Sequence, residues 1–138
     1  MHDPDAGRPD RRHFVAGLAA LAATLAIPAP ARSEQAGEGI ALFMYRRAGC
    51  PWCRAWDREI GTIYAQSDIG RAVPIVMIDM DRGEEAPIAL ARPVRFTPTF
   101  VLGDGTAERA RIEGYPGEDF FWGLLERMLR EAGVETGA

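Results

Sequence analysis

Apolar residues are distributed along the chain with two different periods. Residues 40–45, Ile-Ala-Leu-Phe-Met-Tyr, carry no charge, the pattern of a strand buried on both faces. From residue 53 the spacing becomes helical. Cys53, Trp56, Ile60, Ile63 and Tyr64 share one face, and Arg54, Asp57, Arg58 and Glu59 lie opposite. Residues 73–80, Val-Pro-Ile-Val-Met-Ile-Asp-Met, predict a second buried strand. A strand, a helix and a strand in this order predict a parallel β-α-β unit with a right-handed crossover. Residues 84–92 predict one or two helical turns. Residues 98–102 and 107–112 flank the turn signal Gly103-Asp104-Gly105 and predict a hairpin, its second strand the more polar. Tyr115-Pro116-Gly117 then breaks the chain ahead of a closing helix. Its apolar stripe is Phe121, Leu124, Leu125, Met128 and Leu129. Glu118 and Asp119 open it and Arg127 and Arg130 lie near its end, as the helix dipole favours. The order, β-α-β then β-β-α, is that of an α/β domain.

One apolar run fits neither period. Residues 15–28 are uncharged but number only fourteen, short of the ~20 that a membrane-spanning helix needs. Arg11 and Arg12 precede the run, and Ala31-Arg32-Ser33 offers a small-x-small exit before Glu34. This predicts a secretory signal peptide over residues 1–33 and a mature domain over residues 34–138. The run Arg11-Arg12-His13-Phe14-Val15 resembles a twin-arginine export signal, which carries folded proteins. General secretion and an uncleaved anchor are the alternatives. Export places the domain in the periplasm, an oxidising compartment where a cysteine pair persists as a disulfide.

The length, 138 residues, suits one domain. Net charge is −4, and all sixteen cationic residues are arginine. Loss of residues 1–33 removes four arginines and three aspartates and takes the charge to −5. An acidic chain with no basic run argues against nucleic acid as a partner. His2 and His13 both lie in the leader, so the mature domain has no histidine. That excludes Ser-His-Asp and Cys-His catalysis. With two cysteines and no histidine, a four-ligand structural zinc site cannot be assembled either. Exchange through the cysteine pair described next would require no metal or organic cofactor. Asp79, Asp81, Glu84 and Glu85 lack a calcium-loop pattern and read as a solvated strand end.

The remaining chemistry lies in Cys50-Pro51-Trp52-Cys53, where the first strand gives way to the first helix. A separation of three residues sets the second sulfur one helical turn below the first. Pro51 suits the first helical position, where its missing N–H costs nothing. Cys50 then sits at a helix N-terminus, whose free N–H groups and dipole favour the thiolate, the attacking form in disulfide exchange. Arg46 and Arg47 just upstream would add to this if they turned toward the sulfur. Cys53, shielded one turn in, would act second. An inert surface disulfide and a pair of buried free thiols are the alternatives. The first gains little, because so small a loop barely restrains the unfolded chain.

A strand ending at Cys-Pro-Trp-Cys, a helix, a second strand, then Phe96-Thr97-Pro98 opening a hairpin and a last helix: this order resembles the thioredoxin superfamily over residues 38–132. The resemblance implies a thioredoxin-like fold around a four-stranded mixed sheet. It also implies a cis bond before Pro98, 45 residues after Cys53, lying against the cysteines. Thr97 would then offer a free backbone edge to a substrate strand. Three longer runs are similar to the SoxS-type thioredoxins of bacterial sulfur-oxidation systems: Leu90 to Val101, Arg111 to Trp122, and Trp56-Asp57-Arg58-Glu59-Ile60-Gly61. That narrower resemblance implies a periplasmic thiol–disulfide reductase acting on the cysteine of a sulfur-carrier protein. A membrane thiol transporter of the CcdA/DsbD type would supply its electrons.

The chain departs from the superfamily at two places. Many thioredoxins place a buried acid six residues before the first cysteine, and here that residue is Met44. Another base must then accept the proton, water or a carboxylate such as Asp79 or Glu59, and the sequence does not choose among them. The Pro51-Trp52 dipeptide is closer to glutaredoxins than to thioredoxins, which leaves glutathione open as a partner and the reduction potential unassigned. An oxidase or isomerase is the rival reading within enzymes, and a binding module with an inert disulfide the rival outside them. Trp52 reads as an exposed aromatic lip or a partly buried packing residue. Tyr115 and Trp122 read as core closure, and Arg92 and Arg95 either as steering charges or as solvent-facing ones. A monomer is the default for so small a domain.

Overall fold

The computed structural model describes residues 39–137. The signal peptide expected over residues 1–33, and the first residues of the mature domain, lie outside the described residues. The elements are β1 (Ala41–Arg46), α1 (Pro51–Trp56), α2 (Asp68–Ala72), β2 (Ile75–Asp79), β3 (Thr99–Gly103), β4 (Glu108–Glu113) and α3 (Glu118–Glu131). The four strands form one mixed sheet in the order β2-β1-β3-β4. β1 runs parallel to β2 and antiparallel to β3, and β3 pairs antiparallel with β4. The hairpin strands lie one residue later than the sequence pattern placed them.

β1 is central, and every residue from Ala41 to Tyr45 is buried, as its unbroken apolar run requires. Its alternation divides the core. Leu42 and Met44 join Phe100, Leu102 and Ile112 under Trp56, Ile60, Phe121, Leu125 and Leu129. Ala41, Phe43 and Tyr45 face the other way with Ile78 and Val101, covered by Ala86, Ile88, Leu90 and Val94.

Four expectations are corrected. β2 is an edge strand rather than a doubly buried one: Ile78 is buried, but Met77 is 40% exposed. Residues 84–92 form no helix. After a single tight turn at Met80–Arg82 the chain is irregular and covers one face of the sheet, and Ala89 bonds on either side to Thr106 and Glu108 of the β4 arm. The reason is visible in the residues. Pro87 and Pro93 bias their predecessors away from helix, and Ala86, Ile88 and Leu90 alternate with period two. The third correction concerns the helix after the cysteines, which widens into a π turn at Asp57–Gly61. Trp56, Ile60 and Tyr64 stay inside while Ile63 is rotated out to 43% exposure. Gly61 allows this packing, because a Cβ there would lie 3.2 Å from the Trp56 ring. On α3, finally, Phe121, Leu125, Met128 and Leu129 are buried, but Leu124 falls off the stripe.

α2 was not foreseen. Ser67 caps it, its hydroxyl accepting the Gly70 N–H at 2.9 Å. Gly70 has no room for a side chain, since a Cβ would lie 1.8 Å from the Tyr64 carbonyl oxygen.

Candidate active site

Cys50 follows the C-terminal end of β1 and has extended backbone angles, so it is the N-cap of α1 rather than its first helical residue. Its N–H donates to the Arg47 carbonyl at 3.2 Å, which closes the turn that presents it. Pro51 occupies the first helical turn, where no donor is missed. The Cys50 sulfur accepts the Cys53 N–H at 3.1 Å. The two cysteines are joined as a disulfide with their Cα atoms 5.2 Å apart. Cys50 retains 6% exposure and Cys53 none. Cys50 therefore keeps a small exposed surface while Cys53 is sealed in the core.

Arg47, Gly49, Cys50, Pro51, Trp52, Asp81 and Thr97 line a shallow cleft of about 450 Å³ over the disulfide. Trp52 is 61% exposed and forms its lip. Of the residues singled out in the sequence, Cys50, Pro51, Trp52 and Thr97 meet here. Pro98 is buried behind Thr97, and the Thr97–Pro98 peptide bond is cis. Two other clefts, of about 510 and 480 Å³, lie between α2 and α3 and beneath residues 80–94, away from the cysteines.

The charged residues sort by partner. Arg46 does not face the cysteine. It forms a bidentate pair with Asp57, at 2.7 and 2.6 Å, that fastens the end of β1 to the helix carrying Cys53. Arg47 does reach the cleft, and its guanidinium bonds Asp81 at 3.2 Å. The other oxygen of Asp81 accepts the Ala48 N–H at 2.9 Å. Asp81 is thus tied to the turn that holds Cys50, and the solvated-strand-end reading missed it. The topology carried the signal. β1 and β2 are parallel neighbours, so the segments leaving their C-terminal ends, Arg47–Cys50 and Met80–Asp81, must lie side by side.

Met44 is fully buried in the same apolar cluster as Cys53. Glu59 accepts the Tyr115 hydroxyl at 2.6 Å, and burial together with that bond pushes the Tyr115 phenol well above its ordinary pKa. Asp79 accepts the Asp81 N–H and pairs with Arg82. Arg92 pairs with Glu113 rather than facing the cleft. Tyr115 is buried against Phe121, and Trp122 stacks on Tyr64 with ring centroids 5.9 Å apart, so both close the core.

Comparison with known proteins agrees with this geometry. The family model of the thioredoxin-like domain matches residues 29–129. The periplasmic thioredoxin SoxS of Paracoccus pantotrophus, in its reduced form, superposes with a TM-score of 0.63 and 47% identity, over 67% of this chain and 98% of that one. Thioredoxin-2 of the malaria parasite gives a TM-score of 0.49 at 18% identity, over 64% of this chain and 82% of its own. The Malassezia sympodialis thioredoxin gives 0.49 at 15% identity, over 67% and 80%. No curated protein sequence matches the chain. The chain belongs to the thioredoxin-like family, as a SoxS-type member of the thioredoxin superfamily, and is a thiol–disulfide oxidoreductase.

Proposed function

We propose that the protein is a periplasmic thiol–disulfide reductase in which Cys50 is the attacking sulfur and Cys53 the resolving one. The observation that carries this reading is the asymmetry of the pair: Cys50 lines the cleft and its sulfur accepts the Cys53 N–H, while Cys53 is wholly buried. An N–H aimed at the Cys50 sulfur favours its thiolate.

The Cys50 thiolate attacks one sulfur of a client disulfide. A mixed disulfide forms, and the other client sulfur leaves as a thiolate that takes up a proton. Cys53 loses its proton and attacks the Cys50 sulfur, the client is released as a thiol, and two electrons have passed to it. On a client persulfide, Cys50 takes the outer sulfur and Cys53 then displaces it as hydrosulfide. Thr97 and Pro98 position the client strand, and Pro51 and Trp52 shape the lip against which it lies. With Met44 in place of an acid, the Cys53 proton passes to water or to a nearby carboxylate.

The 47% identity to a periplasmic thioredoxin SoxS supports a periplasmic site of action. The client of this reading is the cysteine of a sulfur-carrier protein. Export follows the twin-arginine-like leader, with cleavage before Glu34. A membrane thiol transporter of the CcdA/DsbD type regenerates the dithiol, glutathione is a secondary partner, and the domain acts as a monomer.

A Cys53→Ser variant tests the reading. After reduction and exposure to a periplasmic extract it accumulates a covalent complex through Cys50, released by dithiothreitol and absent from Cys50→Ser, and the trapped protein is the sulfur carrier. A different captive overturns the client and leaves the chemistry. Absence of any complex overturns the reductase.

A further inference from the structure

One ionic cluster stands outside the cleft and is used by none of the steps above. The Arg111 and Glu108 side chains on β4 are each only 4% exposed. They pair bidentately, with two guanidinium nitrogens each 2.6 Å from a Glu108 oxygen. Replacing such a pair with apolar residues often leaves a fold no less stable, so its presence needs a reason other than stability. The remaining bonds supply one. The Arg111 Nη2 donates to the Arg92 carbonyl at 2.8 Å, and Glu108 Oε2 accepts the Ala91 N–H at 2.8 Å. Glu113, on the same strand, takes the Arg92 guanidinium at 2.9 Å. Three contacts from β4 thus fix residues 91–92, where the chain has no strand partner of its own.

From that anchor only Pro93, Val94 and Arg95 intervene before Phe96. There the chain is held again: the Phe96 carbonyl accepts the Thr99 hydroxyl at 2.7 Å, and the Gly114 N–H donates to the Pro98 carbonyl at 2.8 Å. Pro93 fixes its own φ within this short span. The segment is therefore clamped at both ends, with Phe96 61% exposed beside Thr97 of the cleft.

We infer that the Glu108–Arg111 pair is the positioning element of the client-recognition segment, residues 95–98, and sets affinity for protein disulfides without touching them. A segment held in its bound shape loses less freedom on binding, which is worth affinity rather than chemical rate. The inference rests on the proposed role of Thr97 as client edge, but its failure is separable. The trapping experiment reads the cysteines, and the following one reads only the clamp.

The test uses reduced protein with two oxidants: insulin, a protein disulfide that must be bound, and 5,5′-dithiobis(2-nitrobenzoate), a small disulfide that needs only the sulfur. The double variant Glu108→Leu/Arg111→Met removes the pair without leaving a lone buried charge. In single-turnover reactions with insulin in excess, the insulin concentration giving half the limiting rate rises by about fivefold or more with the limiting rate within about twofold, and the rate with the small disulfide stays within about twofold. Arg111→Lys keeps the cation but loses the two-pronged grip and the Arg92 carbonyl, and it shows the same split at about fourfold. It also carries the test should the double variant not fold. Unchanged insulin kinetics, or an equal fall with both disulfides, would overturn the inference.

Discussion

At the scale of single residues, Cys50 and Cys53 differ in burial and in what each donates or accepts, although three positions separate them in the chain. The spacing of the motif already implied this division. Asp81 was not legible there, because its neighbourhood arises only when β1 and β2 pair in parallel. Its carboxylate shares the cleft with Cys50 and is paired with Arg47, both side chains about half exposed. A negative charge near a thiolate opposes its formation, and a free guanidinium favours it. Asp81→Asn keeps an oxygen for the Ala48 N–H, removes the charge and releases Arg47. The Cys50 pKa therefore falls. Thiolate absorbance at 240 nm against pH measures this. A rise would show instead that the aspartate acts by holding the turn.

At the scale of elements, the pattern of the chain identified β1, the β3–β4 hairpin and α3, and it failed where packing overrode period. The segment at residues 84–92 carries strand-like alternation but pairs only through one isolated bridge, Ala89 to Ala107. The π turn at Asp57–Gly61 displaces Ile63 from a stripe that counted correctly in α-helical steps. The five-residue α2 is shorter than the window in which a helical period can be seen. β4 looked polar because its buried pair is ionic, which hydropathy cannot separate from a solvated face. That pair has a pH signature. Hydrogen bonding to Arg111, and secondarily to the Ala91 N–H, holds the Glu108 carboxyl below its ordinary pKa against the cost of burial. A lowered carboxyl pKa adds stability that is present above the ordinary carboxylate range and is lost as pH falls through the folded value. Urea midpoints at pH 7 and pH 3 should therefore draw closer together in Glu108→Leu/Arg111→Met than in the parent. Equal losses in the two proteins would show that the pair does not feel the titration.

For the whole molecule, four strands and their helices bring three distant stretches of chain to one cleft: the turn after β1, the turn after β2 and the segment before β3. Sequence order gave the topology, because a β-α-β crossover followed by a hairpin and a helix leaves few arrangements. On the proposed reading, this cleft offers an attacking sulfur and a backbone edge to an extended client strand that carries a disulfide. The proposed reductase depends on Cys50 being the sulfur that is held ready. Competitive alkylation of the fully reduced protein with limiting iodoacetamide between pH 4 and 9, with the labelled peptides mapped by mass spectrometry, tests this most directly. Labelling confined to Cys50, with an apparent pKa well below the ~8.5 of a free cysteine, is the predicted result. Label appearing first on Cys53, or on both alike with a midpoint near 8.5, would contradict it.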